Sequence, residues 1–262
     1  MPADPAVPAG PASGRDLLPG ASPWTSDAGP AGVLVLHGFT GNPQSVRPLA
    51  EAFATAGLTV SMPLLPGHGT RVEDMVPTRW ADWSGAAEQA YAELAARCET
   101  VTVAGLSMGG TLTLWLASRH PEVRGIVLVN PLADGEAPGV AAMVEQLRGL
   151  DEPLVPGIGS DIALQGSVES AYPMTPVQPL LSLHAALTDL RGALADITCP
   201  VLLCTSPQDH VVEPASSDLV AQTVGGPVER VSLDRSFHVA TLDHDARLIE
   251  SRAVEFVQRV SA

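Results

Sequence analysis

Val101-Thr102-Val103-Ala104-Gly105-Leu106-Ser107-Met108-Gly109-Gly110-Thr111-Leu112-Thr113-Leu114-Trp115-Leu116 is the stretch that decides the fold. A β-branched apolar run enters Gly-x-Ser-x-Gly and leaves as an apolar run of helical character, so the order is strand, sharp turn, helix. That local order is the setting of a nucleophile elbow. The glycines on either side of Ser107 remove side chains where strand and helix crowd, letting the turn lift the serine hydroxyl above the sheet. A helix opening at Met108 aims free N–H groups at any anion forming beside that hydroxyl. The bland alternative, a glycine-rich turn around an ordinary serine, does not account for the flanking strand and helix.

Outward from the elbow, strand-like and helix-like segments alternate, the pattern of a mainly parallel sheet covered on both faces. Gly32–Leu36 is a continuous apolar strand that runs into His37-Gly38-Phe39-Thr40-Gly41. Asn42 and Pro43 open a helix read through Leu49, Phe53 and Ala54 to Gly57. Leu58–Met62 is the next strand, stopped by Pro63 and followed by Pro66-Gly67-His68-Gly69. Residues from Arg79 to Cys98 form a helix with Trp80, Trp83, Ala87, Tyr91 and Leu94 at core spacing. Strands follow at 125–129, 200–204 and 228–231, with helices from Pro214 and from Asp245 to Val260. Between Leu132 and Leu194 the rhythm breaks into Gly/Pro-rich chain, a short helical pattern around Val144–Leu147 and an apolar helix near Pro179–Leu190. A segment this long is no tight loop. Inserted after a strand's carboxyl end, it sits over the ligand crevice of an open α/β sheet. We read residues 132–194 as a small cap, 16–131 and 195–262 as the core, and 1–15 as a flexible tail.

With 262 residues, 45% of them hydrophobic and 16% charged, the chain has the length and composition of a globular domain with a substantial core. No stretch approaches the roughly 20 apolar residues of a membrane helix. The first 30 residues lack the basic start and apolar centre of a secretory signal, so a cytoplasmic location is expected. A net charge of −15 disfavours nucleic acid and anionic membrane surfaces and leaves neutral small molecules as substrates. Stable membrane insertion is not expected, and the oligomeric state is not encoded in any motif. Cys98, Cys199 and Cys204 lack metal-type spacing and read as core thiols.

A serine hydroxyl needs a base to take its proton and a carboxylate to orient that base. In this strand–helix order the acid and the histidine follow the serine, each on a loop after a strand. His238, in Ser236-Phe237-His238-Val239-Ala240, lies between the last strand and the last helix; His210, His244 and His184 are its rivals. Asp209 follows strand 200–204, ahead of Glu213 and Asp234, with turn chemistry its bland alternative. The tetrahedral intermediate needs two donors, expected from the backbone N–H groups of Met108 and Phe39. His37 reads as a structural hydrogen-bonder beneath the Gly38 loop, and His68 as a loop-fixing residue. Neither marks a metal site, and no metal or other cofactor is expected.

Five motifs now stand in one order: His37–Gly41, Pro66–Gly69, Gly105–Gly110, Asp209-His210-Val211-Val212 and His238–Asp243. Together they resemble the compact bacterial monoacylglycerol lipase and carboxylesterase family of the α/β-hydrolase superfamily, over roughly residues 17 to 260. The resemblance implies an α/β-hydrolase fold with a small cap, a Ser107–Asp209–His238 triad, Phe39 and Met108 as oxyanion donors, and no cofactor. It departs mainly in the cap, richer here in Pro and Gly, and in a longer amino-terminal segment. The expected activity is hydrolysis of neutral carboxylic esters, monoacylglycerol first among them. A short-to-medium-chain carboxylesterase or thioesterase shares the same site, and a triad alone does not exclude peptidase action. A hydrolase-like ligand-binding protein is the reading from another class. For a monoacylglycerol the wall would come from Phe39, Leu180, Leu183 and Leu187, and Glu169 would meet a glycerol hydroxyl. Core packing and surface solvation are the alternative readings of those leucines and of Glu169.

Overall fold

The computed structural model describes residues 16–157 and 159–262; the expectation of a tail over residues 1–15 lies outside them. In chain order the strands are β1 (Trp24–Ser26), β2 (Ala31–Leu36), β3 (Thr59–Met62), β4 (Thr100–Leu106), β5 (Gly125–Val129), β6 (Leu154–Pro156), β7 (Met174–Pro176), β8 (Val201–Thr205) and β9 (Val228–Ser232). The helices are α1 (Arg47–Thr55), α2 (Val72–Met75), α3 (Trp80–Ala95), α4 (Met108–Arg119), α5 (Pro138–Arg148), α6 (Val177–Ala193), α7 (Ala215–Thr223) and α8 (Ala246–Ser261).

Seven strands form one sheet in the order β1-β3-β2-β4-β5-β8-β9. Only the short edge strand β1 runs antiparallel to its neighbour. Alternate residues of each strand face opposite ways. Val33 and Val35 thus join Phe53 of α1 and Ile249 and Phe256 of α8 in one core layer. Leu34 and Leu36 join Trp83 and Leu94 of α3 and Leu112 and Leu116 of α4 in the other. Because both faces are covered, the central strands read as continuous apolar runs. The chain runs outward from β2 to β3 on one side, then from β4 to β9 on the other. The strand order therefore reverses between β2 and β4, and the crevice beyond their carboxyl ends is where such a sheet binds ligands.

Residues between β5 and β8 hold α5, the antiparallel β6–β7 ribbon and α6, with α6 packed on α3, α4 and α5. The single helix expected from Pro43 to Gly57 is instead a 3-10 turn, Pro43–Ser45, followed by α1. Asn42 caps the turn through its side chain, which accepts from the Gln44 N–H at 3.0 Å. Pro48 is the reason for the break. It has no N–H for the Gln44 carbonyl, and its ring would strike that carbonyl in a continuous helix.

Candidate active site

The elbow is built by close approach. Ser107 holds φ 56° and ψ −118°, a conformation that side chains rarely adopt. A Cβ on Gly105 would lie 2.1 Å from the Gly109 carbonyl oxygen, and one on Gly109 would lie 2.1 Å from that of Leu36. Both glycines are therefore obligatory: α4 crosses directly over β4 and β2. The Ser107 N–H donates to the Val129 carbonyl at 3.0 Å, pinning the turn to β5.

His238 and Asp209 meet on the loops after β9 and β8. The imidazole Nδ1 lies 2.7 Å from Asp209 Oδ2, with side-chain exposures of 8% and 2%. The other carboxylate oxygen of Asp209 accepts the N–H groups of Val211 and Val212, both at 2.8 Å. With the Asp209 carboxylate as acceptor, Nδ1 carries the proton and Nε2 is left with a free lone pair. The His238 carbonyl accepts from Asn130 Nδ2 at 2.8 Å, and the Phe237 carbonyl accepts from the Ser206 hydroxyl at 2.8 Å. Of the rivals, His210 and His244 are exposed, whereas His184 lines the same cavity as Ser107 and His238 but commits its Nε2 to the Gly135 carbonyl at 2.8 Å. Ser107 and His238 line one cavity, though among the described residues no hydrogen bond joins their side chains. Such contacts commonly tighten only when substrate is bound.

The loop after β2 supplies the facing wall. Gly38 lies so near Ser107 that a Cβ there would be 3.5 Å from Ser107 Cβ. Phe39 and Met108 line the same cavity, and Met108, as the first residue of α4, has no intrahelical acceptor for its N–H. Beneath the loop, His37 Nε2 accepts from the Leu65 N–H at 3.1 Å, so the proton sits on Nδ1, which donates to the Gly38 carbonyl at 3.0 Å. Burial lowers His37 to a pKa of about 4. Burial, with His37 as neighbour, lowers His68 to about 3. The rings of His37 and His68 lie 5.0 Å apart, and those of Phe39 and Trp83 lie 5.6 Å apart, a packed aromatic support under the loop.

The insertion closes the cavity. Leu180, Leu183 and Leu187 of α6 line it together, with Leu183 and Leu187 also packed into the molecule. Val140 and Met143 of α5 add to the apolar side. Among the polar residues of this wall, which include Asp161, Tyr172 and Thr175, is Glu169. A Cβ on Gly41 would fall 2.6 Å from its Oε1, so the missing side chain at 41 is what lets the carboxyl lie against the loop after β2. Its backbone is fixed by cross-links to that loop. Ser170 N–H donates to Gln44 Oε1 at 3.0 Å, Gln44 Nε2 to the Val168 carbonyl at 3.1 Å, and Tyr172 N–H to the Thr40 carbonyl at 3.0 Å. Burial raises the Glu169 pKa above the ordinary carboxyl range, opposed by the nearby His238 and the Ser45 hydroxyl.

Sequence reasoning missed Asn130, Gly41 as the seat for Glu169, and Asp161, which also lines the cavity. Only Asn130 carried a signal, as the residue ending β5 before Pro131 with φ 45° in the structure. Among the described residues, no group of three or more His, Cys, Asp or Glu is placed to hold a metal ion. Among them, too, no helix is long and apolar enough to cross a membrane.

A largely parallel sheet, helices on both faces and a strand–Ser–helix elbow at the strand-order reversal define an α/β-hydrolase fold. The serine aminopeptidase S33 family matches residues 29–245, and the chain belongs to that family. It is 46% identical over 243 residues to the thermostable monoacylglycerol lipase of Bacillus sp. (strain H-257), covering 92% of this chain and 95% of that one. It is 26% identical over 245 residues to a carboxylesterase of Bacillus subtilis (strain 168), covering 91% and 96%. Among solved structures, one described under LipS and LipT, two metagenome-derived lipolytic enzymes, superposes with a TM-score of 0.88 at 41% identity. It covers 93% of this chain and all of that one.

Proposed function

We propose that this protein is a serine ester hydrolase that cleaves monoacylglycerol to fatty acid and glycerol through an acyl-enzyme on Ser107. Residues 132–194 act as the cap on a core of 16–131 and 195–262. The observation that carries the substrate is the Glu169 carboxyl, seated by Gly41 in a cavity whose apolar side includes Leu180, Leu183 and Leu187. An apolar wall beside a buried carboxyl near His238 suits a single acyl chain and a small hydroxylated head. The relationship to the Bacillus lipase supports the same reading.

In the first half-reaction Ser107 Oγ attacks the ester carbonyl carbon while His238 Nε2 takes its proton. The imidazolium is held by Asp209 through Nδ1. The backbone N–H groups of Met108 and Phe39 receive the developing oxyanion, a contribution of about 3 kcal/mol per donor in comparable sites. Collapse expels glycerol, protonated by His238, with Glu169 bonded to one of its free hydroxyls. Water then enters and gives a proton to His238 as its oxygen attacks the acyl carbon; His238 returns that proton to Ser107 Oγ as the Oγ–acyl bond breaks and the fatty acid leaves.

Two measurements test this reading. A fluorophosphonate probe labels the wild type, and Ser107→Ala abolishes labelling; undiminished labelling of the alanine variant refutes the nucleophile. Glu169→Ala lowers kcat/KM for monoacylglycerol by about tenfold, the worth of one buried hydrogen bond, while sparing the methyl ester of the same acid. Equal losses on the two esters would remove Glu169 from glycerol recognition.

A further inference from the structure

His238 is gripped through its backbone from two sides, and one grip comes from the insertion. Asn130, at the end of β5, donates to the His238 carbonyl from the sheet. On the opposite side the His238 N–H donates to Asp161 Oδ2 at 3.0 Å. The next N–H, of Val239, donates to the Asp161 carbonyl oxygen at 3.1 Å. Asp161 thus accepts two successive N–H groups of the histidine loop, and its side chain is only 12% exposed.

The same carboxylate reaches the loop of the acid. Asp161 Oδ1 lies 2.8 Å from His210 Nδ1, and the His210 N–H donates to Oδ2 at 3.2 Å. His210 directly follows Asp209, and its ring packs edge-on against Phe237, centroids 4.5 Å apart. One carboxylate from the insertion therefore ties the loop of Asp209 to the loop of His238. A second carboxylate holds the adjoining chain in place. Asp243 accepts the N–H groups of Ala163 at 2.7 Å and Leu164 at 2.8 Å, together with that of Phe237 at 2.9 Å.

We propose that Asp161 is a positioning residue for the base, so that the insertion sets the geometry of the histidine as well as covering the substrate. This rests on the reading of Ser107, Asp209 and His238 as the triad. The physical basis is the tolerance of proton transfer to misplacement. The imidazole must meet the Ser107 hydroxyl and later the leaving oxygen, and a shift of about 1 Å costs on the order of a hundredfold. Asp209 fixes the ring at Nδ1, but the ring pivots with its peptide, and the peptide is set by Asn130 and Asp161 together. The hydrogen bond to His238 needs an acceptor and no charge, so an amide oxygen at position 161 can replace the carboxylate oxygen.

The test compares Asp161→Ala with Asp161→Asn on two readouts, steady-state hydrolysis of a monoacylglycerol and the rate of Ser107 labelling by a small fluorophosphonate. In the alanine variant kcat falls by about ten- to a hundredfold with KM within about twofold. The labelling rate falls by a similar factor, because the probe needs an activated serine but no glycerol or acyl recognition. The asparagine variant recovers both to within about threefold of wild type. A rise in KM alone with normal labelling would make Asp161 a substrate contact and overturn the inference. So would unchanged kinetics in Asp161→Ala, equal damage in Asp161→Asn, or a melting temperature that collapses in the alanine variant, which would mean that the residue holds the fold. Failure of the triad reading is separate: labelling would then persist in Ser107→Ala whatever happens at position 161.

Discussion

At position 109 one added carbon atom would sit 2.1 Å from the Leu36 carbonyl oxygen, a backbone atom that cannot swing aside. Gly109→Ala should therefore push α4 off β2, costing about 3–5 kcal/mol and most of the activity. Thermal melts and ester turnover on the same preparation check this, and a wild-type melting temperature would contradict it. Glu169 illustrates the opposite relation between stability and use. Burial raises its pKa, so the folded state keeps a proton that the unfolded chain releases near the ordinary value of 4.5. As pH rises from there through the raised folded value, the wild type loses stability, because charging the buried carboxyl is costly. Glu169→Gln carries no such charge. Its melting temperature should exceed that of wild type at pH 7–8, with the gap shrinking toward pH 4. A gap that widens in acid would mean that the carboxylate is stabilised where it lies.

The loop after β2 and its aromatic support form an element whose pH response runs the other way. His37 and His68 are held neutral by burial, at about 4 and about 3 against an ordinary 6.5. In the unfolded chain each takes a proton near 6.5; in the folded protein neither does until far lower. Stability is thus fully present above about pH 6.5 and is lost as pH falls through the folded values, at about 1.4 kcal/mol per pH unit and histidine. Among the described residues His68 Nε2 has no hydrogen-bond partner, and Nδ1 bonds the Pro66 carbonyl at 3.0 Å. His68→Phe keeps the ring packing against Trp83 and removes the proton site. The fall in melting temperature between pH 7 and pH 4.5 should be smaller in His68→Phe than in wild type. An equal fall would move the acid sensitivity to other groups.

Over the whole molecule, stability is uneven in a way that follows burial. The sheet strands β4, β5 and β8 are buried on both faces, whereas α5 buries only Val144 and Leu147 along its 11 residues. Yet Val140 and Met143 of α5 line the cavity. Local opening draws on the elements with the fewest buried contacts. Backbone amides of α5 should accordingly exchange with deuterium earlier than those of α6, which buries five residues. Slower exchange of α5 than of α6 would show that something other than this burial holds it closed.

Much of this organisation was legible because it is local. The elbow needs only a β-branched run, two glycines and a serine, so residues 100–116 declare strand, turn and helix without reference to the rest of the chain. The central strands β2, β5 and β8 are continuous apolar runs because both faces of the sheet are covered. Strand order then predicts where Asp209 and His238 belong before either residue is read. What escaped had weak local signals. β1 is three residues long, β6 and β7 each end in proline, and α5 begins at Pro138-Gly139, so the visible pattern started only at Val144. The break before α1 turned on a single missing N–H at Pro48. Contacts between distant segments were the least legible. Gly41 makes room for Glu169, Leu65 N–H fixes the tautomer of His37, and Asp161 holds the peptide of His238 across 77 residues of chain. Periodicity reports which face of an element is apolar, not which distant backbone group a carboxylate will meet. The sequence by itself therefore determined the fold class and the candidate nucleophile, acid and base, because these follow from local backbone chemistry and strand order. Tertiary structure alone decided how the insertion seats a carboxyl beside the cavity and grips the histidine, because those contacts exist only once segments remote in the chain are packed together.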